Sequence, residues 1–293
     1  MNTAGIMIPQ LRYIKGFFRI TRLPNLIILA AAQYLAALFL VGEAHEIYQY
    51  LFSTELFLLS SSTVIIAAAG YIINDYYDVK IDYINKPRQV IIGKLMKRRV
   101  AMITHTAFNF IGIGVGFYLS TVVGIINFTA AFSLWLYSNQ LKRLPLIGNF
   151  IIAALTGLGI AVVALYFREN ELLVYVYATF AFAISLVREV IKDMEDAKGD
   201  ELFGCRTLPV IWGIAQTKRL LYLLIAFFIF LLFFLSGVLK NQTLTNYFII
   251  LIIPISWFIY RLVYADKKVD FALLSNAAKL IMLSGMLSMI FFK

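Results

Sequence analysis

A chain of 293 residues that is 61% hydrophobic and only 14% charged is no ordinary soluble domain; those are typically about 45–50% apolar and about 25% charged. A single cysteine excludes an intrachain disulfide, and one thiol with two histidines is a poor basis for a zinc centre. The net charge of +10 would suit nucleic acid, but the positive residues border apolar runs, so anionic membrane lipids and a phosphorylated substrate are the better partners.

The apolar runs are continuous and about 20 residues long, as a spanning helix requires. A strand-built barrel would show segments of alternating polarity instead. The expected fold is all-α, a polytopic bundle of nine transmembrane helices in a single domain over 1–293. Residues 1–23 set Arg12, Lys15, Arg19 and Arg22 among Leu11, Ile14, Phe17, Phe18 and Ile20, which reads as a basic amphipathic helix on the membrane surface. A cleaved signal peptide is the competing reading; the long polar lead-in and Pro24-Asn25 argue against it. The spans are expected at about 24–41, 56–76, 100–119, 121–138, 146–167, 172–190, 218–239, 246–264 and 271–292. Gly112, Gly114 and Gly116 in the third, with Gly157 and Gly159 in the fifth, would let helices approach closely. Cys205 sits in a polar loop beside Arg206, distant in sequence from His45 and His105, and reads as a structural thiol.

Lysine and arginine set the orientation. The side holding the N-terminus and the loops after even-numbered spans carries 22 of them, against Arg168, Lys240 and Lys293 on the other; Lys279 falls inside the last span. The positive-inside rule then places the N-terminus and those loops in the cytoplasm and the C-terminus outside the cell membrane.

Asn74-Asp75-Tyr76-Tyr77-Asp78-Val79-Lys80-Ile81-Asp82 closes the second span, and Asp193, Asp196 and Asp200 repeat the same spacing after the sixth. On a helix, positions i, i+3 and i+7 fall within an arc of roughly 60°. Like charges that close repel unless something positive stands between them. One such trio could be a solvated helix end; two, each closing an apolar run, point to hard divalent cations, with two or more Mg²⁺ as the obvious choice. The trios lie 118 residues apart, which suggests a weak internal duplication with each copy supplying half of one site. Both are also placed at C-terminal helix ends, where the helix dipole disfavours negative charge, which itself points to bound cations.

Basic residues follow each trio: Lys86, Arg88 and Lys94 after the first, Lys198 and Arg206 after the second, with Lys142-Arg143 between them after Tyr137. Acid plus base around metal is what a diphosphate needs. In a membrane that diphosphate would carry a lipid tail, and an allylic tail would leave a carbocation for apolar and aromatic walls to shield. Tyr71, Tyr76, Tyr77, Tyr137 and Trp135 are candidates for that lining, with simple packing as the alternative for each. A divalent-cation transporter would want carboxylates near the midplane rather than at span ends. A CDP-alcohol phosphotransferase would carry Gly and Arg within the Asp series, which Asp75 to Asp82 lacks.

At these residues the chain resembles the UbiA superfamily of intramembrane prenyltransferases. Asn74-Asp75-x-x-Asp78-x-x-x-Asp82 matches that family's first motif and Asp193-x-x-Asp196-x-x-x-Asp200 its second. Arg22-x-Pro24-Asn25, Asn85-Lys86-Pro87-Arg88 with Gly93-Lys94, and Tyr137-Ser138-x-x-Leu141-Lys142-Arg143 with Gly148-Asn149 resemble its intervening segments. Gln89-Val90-Ile91-Ile92 departs from the Pro-Ser-Gly type of turn many members have there. The resemblance covers essentially the whole chain. It implies Mg²⁺-dependent transfer of a polyprenyl group, geranylgeranyl in the best match, from its diphosphate. Asp75, Asp78, Asp193 and Asp196 would be catalytic metal ligands, with Asp82 and Asp200 ligating or supporting them. Lys86, Arg88, Lys94, Lys142 and Arg206 would contact diphosphate, Asn74 would orient substrate or water, and Asn25, Tyr137 and Asn149 would line the cavity. Arg188 to Asp196, continuing to Arg206-Thr207-Leu208-Pro209, most resembles the branch that prenylates geranylgeranylglyceryl phosphate. Arg12, Lys15, Arg19 and Arg22 would then receive the acceptor's phosphate. A phenolic quinone precursor and a tetrapyrrole propionate are the other acceptors the family offers. No general base, no nucleic acid and no obligate protein partner is indicated.

Overall fold

The computed structural model describes residues 9–240 and 242–292; residues 1–8 of the expected surface segment lie outside them. The short helix α1 (Pro9–Ile20) turns at Arg22, in the left-handed region, into α2 (Leu23–Ala36), which Pro24 opens and a π-helical turn extends to Val41. Then come α3 (Ile47–Leu51), α4 (Thr54–Asn85), α5 (Arg98–Leu119), α6 (Thr121–Asn139), α7 (Ile147–Phe167), α8 (Glu171–Leu202), α9 (Leu208–Leu239), α10 (Gln242–Tyr264) and α11 (Lys268–Leu287). Among the described residues nine helices are long and apolar enough to cross a membrane: α2 with its extension, and α4 to α11. The protein is a multi-pass membrane helical bundle.

Local chemistry explains the corners. The Ser53 hydroxyl accepts from the Leu56 N–H at 3.1 Å and starts α4; Ser120 does the same for Val123 at 3.1 Å and separates α5 from α6. Pro209 opens α9, which bends at Gly213, where φ is +77°. On the face away from the aspartates, the Tyr50 hydroxyl donates to Glu169 at 3.0 Å. Burial and that carboxylate push the Tyr50 pKa up to about 12.

Two expected boundaries were too short, with consequences for the site. Helix α4 continues past 76 to Asn85, and α8 past 190 to Leu202. Each has 32 residues, about 48 Å of helix against a hydrocarbon core of about 30 Å. Apolar runs mark only the part of a helix that lipid covers, so the polar third of each was invisible to that criterion. The aspartates therefore ride on the faces of projecting helices. Only Asp82 and Asp200 sit in a last turn, and the dipole argument applies to them alone. Helix α9 likewise begins at Leu208, well before 218.

Helix α8 is the central strut. It packs on α7, α9, α11 and α4, and Val187, Val190 and Ile191 are almost fully buried. A Cβ on Gly157 would meet the Ala178 carbonyl at 2.8 Å, and one on Gly112 would meet Ile66 at 2.7 Å, so the expected close approaches exist there. Gly114 is different: open space surrounds it, and it sets no helix contact. The segment Gln89-Val90-Ile91-Ile92 also acquires a role. Ile91 and Ile92 are buried with Ile20, Ile72 and Ala101, which anchors the α4–α5 loop beneath α1.

Candidate active site

The two aspartate-bearing helices face each other across one cavity of about 780 Å³. Asp75, Asp78 and Asp82 reach it from α4, and Asp193, Asp196 and Asp200 from α8. At one end the wall is charged. Deeper in, it is apolar, formed on one side by residues of α2, α4, α6 and α7 and on the other by Tyr177, Phe180, Phe228 and Phe248.

Three of the six carboxylates are met by the chain's own cations. Arg22 Nη2 lies 3.1 Å from Asp75 Oδ1, Lys86 Nζ 2.6 Å from Asp196 Oδ2, and Lys142 pairs with Asp78 Oδ1. Asp193 accepts from Asn149 Nδ2 at 2.8 Å, and Asp200 from the Thr207 hydroxyl at 3.2 Å. Burial alone would lower the Lys86 pKa; Asp196 more than offsets this and holds the ammonium above its ordinary range. Lys268 approaches within 3.9 Å of Asp196 Oδ1, an oxygen that is buried and accepts no hydrogen bond. Among the described residues no three Asp, Glu, His or Cys side chains converge on a point as a ready-made metal cage. The donor set nevertheless fits a hard divalent cation: six carboxylates, oxygen only, one with an unsatisfied buried oxygen.

Asn85 locks the two helices at this level. Its amide donates to the Asp196 carbonyl at 3.1 Å. It also fills the space a Cβ would need at Gly199, where the nearest atom would lie at 2.3 Å. Lys142 is placed by a 3-10 turn, Leu141–Arg143, packed so tightly on α7 that a Cβ at Gly148 would meet its Cα at 2.9 Å.

Of the residues expected from the sequence, Arg22, Asn25, Asn74, Lys86, Tyr137 and Lys142 line the cavity with the six aspartates, and Asn149 stands behind Asp193. Arg88, Lys94 and Arg206 are exposed and form no part of the wall. Gln89 and Ile91 of the same loop do reach the wall, but the Arg88 carbonyl accepts from Arg19 at 2.6 Å and Lys94 lies 4.9 Å above the Tyr83 ring. Arg206 is held by its backbone N–H on the Arg143 carbonyl. Tyr71 and Tyr137 face the cavity, whereas Tyr76 packs under Arg98 at 4.5 Å and Trp135 is 37% exposed beside Phe132. Cys205 is buried at the cavity wall, and burial with nearby Asp200 raises its pKa, which leaves it an inert thiol. Of the cations expected to await an acceptor phosphate, Arg19 and Arg22 are on the wall, Arg22 paired with Asp75, whereas Lys15 is exposed and off it, and the Arg12 side chain lies outside the described residues. What sequence reasoning missed is a second polar group on the wall: Arg188, Glu189, Lys192 and Lys279. Its signal was present, because charge inside an apolar span is costly and usually functional, yet Lys279 was merely set aside and Arg188 was counted as a flank.

A family model described as the UbiA prenyltransferase family matches residues 23–283. The digeranylgeranylglyceryl phosphate synthase of Saccharolobus solfataricus is 34% identical over 216 residues, covering 72% of this chain and 74% of that one. The protein of the same name from Thermococcus sibiricus is 32% identical over 151 residues, 52% of this chain, and the match spans about half of that relative's length, 54%. Among solved structures, one of a digeranylgeranylglyceryl phosphate synthase superposes with a TM-score of 0.69 at 24% identity, covering 95% of this chain and 98% of that one. A UbiA homolog from Archaeoglobus fulgidus, bound to DMAPP and Mg²⁺, gives 0.64 at 14% identity, with coverage of 94% and 98%.

Proposed function

This chain belongs to the UbiA prenyltransferase family, and from that premise we propose that it moves a geranylgeranyl group from its diphosphate to the free hydroxyl of geranylgeranylglyceryl phosphate, with Mg²⁺. The observation that carries this reading is the single cavity that joins both aspartate trios to long apolar walls inside the bundle. Such a shape holds a headgroup at the charged end and a lipid tail in the hydrocarbon. The relatives named above supply the acceptor class.

In this mechanism Asp75, Asp78, Asp82, Asp193, Asp196 and Asp200 would hold two or more Mg²⁺, whose charge would stabilise the diphosphate as it leaves the allylic carbon. Asn149 fixes the rotamer of Asp193, and Asn85 keeps α8 in register with α4. Lys86, Lys142 and Arg22 already point into the charged end, so each can exchange a carboxylate for a diphosphate oxygen by a small side-chain motion. Tyr71, Tyr137 and the apolar walls exclude water from the allylic cation, which the acceptor hydroxyl oxygen captures as an ether. The hydroxyl proton passes to the released diphosphate.

The test is product analysis. Purified protein with geranylgeranyl diphosphate, Mg²⁺ and a panel of glycerophosphate, phenolic and tetrapyrrole acceptors should yield only the digeranylgeranyl ether phosphate by mass spectrometry. A prenylated phenol as the main product would replace the acceptor, and no prenylated product with any of them would end the reading. The charge asymmetry adds a second expectation, that the aspartate end faces the cytoplasm of a cell membrane. A tag before residue 9 should be shielded from impermeant reagents in intact cells and one after Lys293 labelled; the reverse pattern would invert the site.

A further inference from the structure

Apart from the exposed Arg19, the cations on the cavity wall fall into two groups that differ in how they are balanced. Arg22, Lys86 and Lys142 each face an aspartate of the two trios. Arg188, Lys192 and Lys279 have one carboxylate among them, the buried Glu189. Arg188 Nη1 lies 2.9 Å from Glu189 Oε1, and Lys192 Nζ lies 2.8 Å from Oε2. Arg188 Nε is buried and has no acceptor. Lys279 forms no ion pair among the described residues; its ammonium donates to the Asn25 side-chain oxygen at 2.5 Å, and it shares the cavity wall with Arg188. Three positive charges against one negative, inside a membrane bundle, are costly to leave so.

We infer that Arg188, Lys192 and Lys279, with Asn25, form a subsite for the phosphate of the acceptor lipid, distinct from the metal–diphosphate site. The inference rests on the proposed phosphorylated acceptor and names what recognises it. The surplus of two charges matches a phosphate monoester, which carries about −1.5 to −2 near neutral pH, better than a single carboxylate. Position supports it too. Arg188 precedes Asp193 by five residues on α8, which puts it about 7.5 Å further along the helix axis. Side chains from these two levels can meet a phosphate and a hydroxyl four bonds from its phosphorus. Asn25 and Lys279 come from α2 and α11, so the subsite draws on three helices, two of which carry no aspartate of the trios.

The test compares geranylgeranylglyceryl phosphate with its dephosphorylated counterpart, geranylgeranylglycerol, in the full-length protein with Mg²⁺ and geranylgeranyl diphosphate. Wild type should prefer the phosphorylated acceptor. Lys279→Gln and Arg188→Gln should each raise the KM for it at least tenfold and shrink the preference by the same factor, with the donor KM shifting less than threefold. Lys279→Arg should restore most of the preference. Glycerol 1-phosphate should inhibit wild type competitively against acceptor and not against donor, a result independent of how well any variant folds. An unchanged preference in both glutamine variants, an equal rise in donor KM, or inhibition competitive with donor overturns the subsite while leaving the phospholipid acceptor standing. Wild-type transfer to a phenol, with neither lipid used, overturns both.

Discussion

Replacing Asp193 with asparagine should lower diphosphate release from geranylgeranyl diphosphate by about 10³-fold, the effect of removing one preorganised electrostatic group at its upper end. Asp75→Asn should do the same. Asparagine keeps the shape of aspartate, and at 193 it can still meet Asn149 through its carbonyl oxygen, so the geometry survives. The lost charge is what matters. Asp193 faces no lysine or arginine within ion-pair distance among the described residues, so its negative charge is left for a ligand rather than for the protein. Removing it relieves burial without stranding a cation, and the thermal midpoint should hold or rise. At Asp75 the change does strand Arg22, and a small loss of stability should accompany the loss of rate. Diphosphate release near the wild-type rate in both variants would overturn the assignment of the trios as metal ligands.

How much of this could be read from the chain depends on which physical signal each feature leaves. The bundle was legible because nine apolar runs of spanning length leave few alternatives in lipid. The two trios were legible because a helical period places their carboxylates on one face, and that they belong together followed from their repetition. What failed were inferences that treated the end of an apolar run as the end of a helix. Asp75 and Asp193 lie in the bodies of 32-residue helices, so the polar stretch beyond lipid is structure, not loop. Arg88 and Lys94 lie in a loop whose Lys86, Gln89 and Ile91 reach the cavity while their own side chains are exposed off its wall, as is Arg206 on the loop before α9. Nothing local records where a loop's apolar residues will find a pocket.

The charged residues show the converse. Counting them by side gives orientation and hides which ones are bound to each other. Arg22 reads as a surplus surface cation in the sequence and proves to be the partner of Asp75, with its guanidinium 4.8 Å above the Tyr71 ring. Arg188 and Lys279 read as a flank and an oddity, and they share one cavity wall because α8 and α11 pack together. That packing brings together positions 91 residues apart, beyond any periodicity argument.

Lys142→Met separates the two tasks that the charged end of the cavity must perform. The ammonium pairs with Asp78, and both side chains are largely buried. If Lys142 leaves Asp78 to meet diphosphate, its removal should act in opposite directions on the two ligands. The kcat/KM for the donor should fall by about 10²-fold, as expected for a lost charge-assisted hydrogen bond to a departing anion. The Mg²⁺ concentration giving half-maximal rate should fall as well, because Asp78 no longer has to release an ammonium before it can bind a cation. Adding Asp78→Asn should then raise the Mg²⁺ requirement sharply, and its further cost in rate should be smaller than in the wild-type background, since the two side chains act on one another. A methionine variant needing more Mg²⁺, not less, would mean that Lys142 only props the 3-10 turn against Gly148. The exchange of lysine between carboxylate and diphosphate would then be wrong.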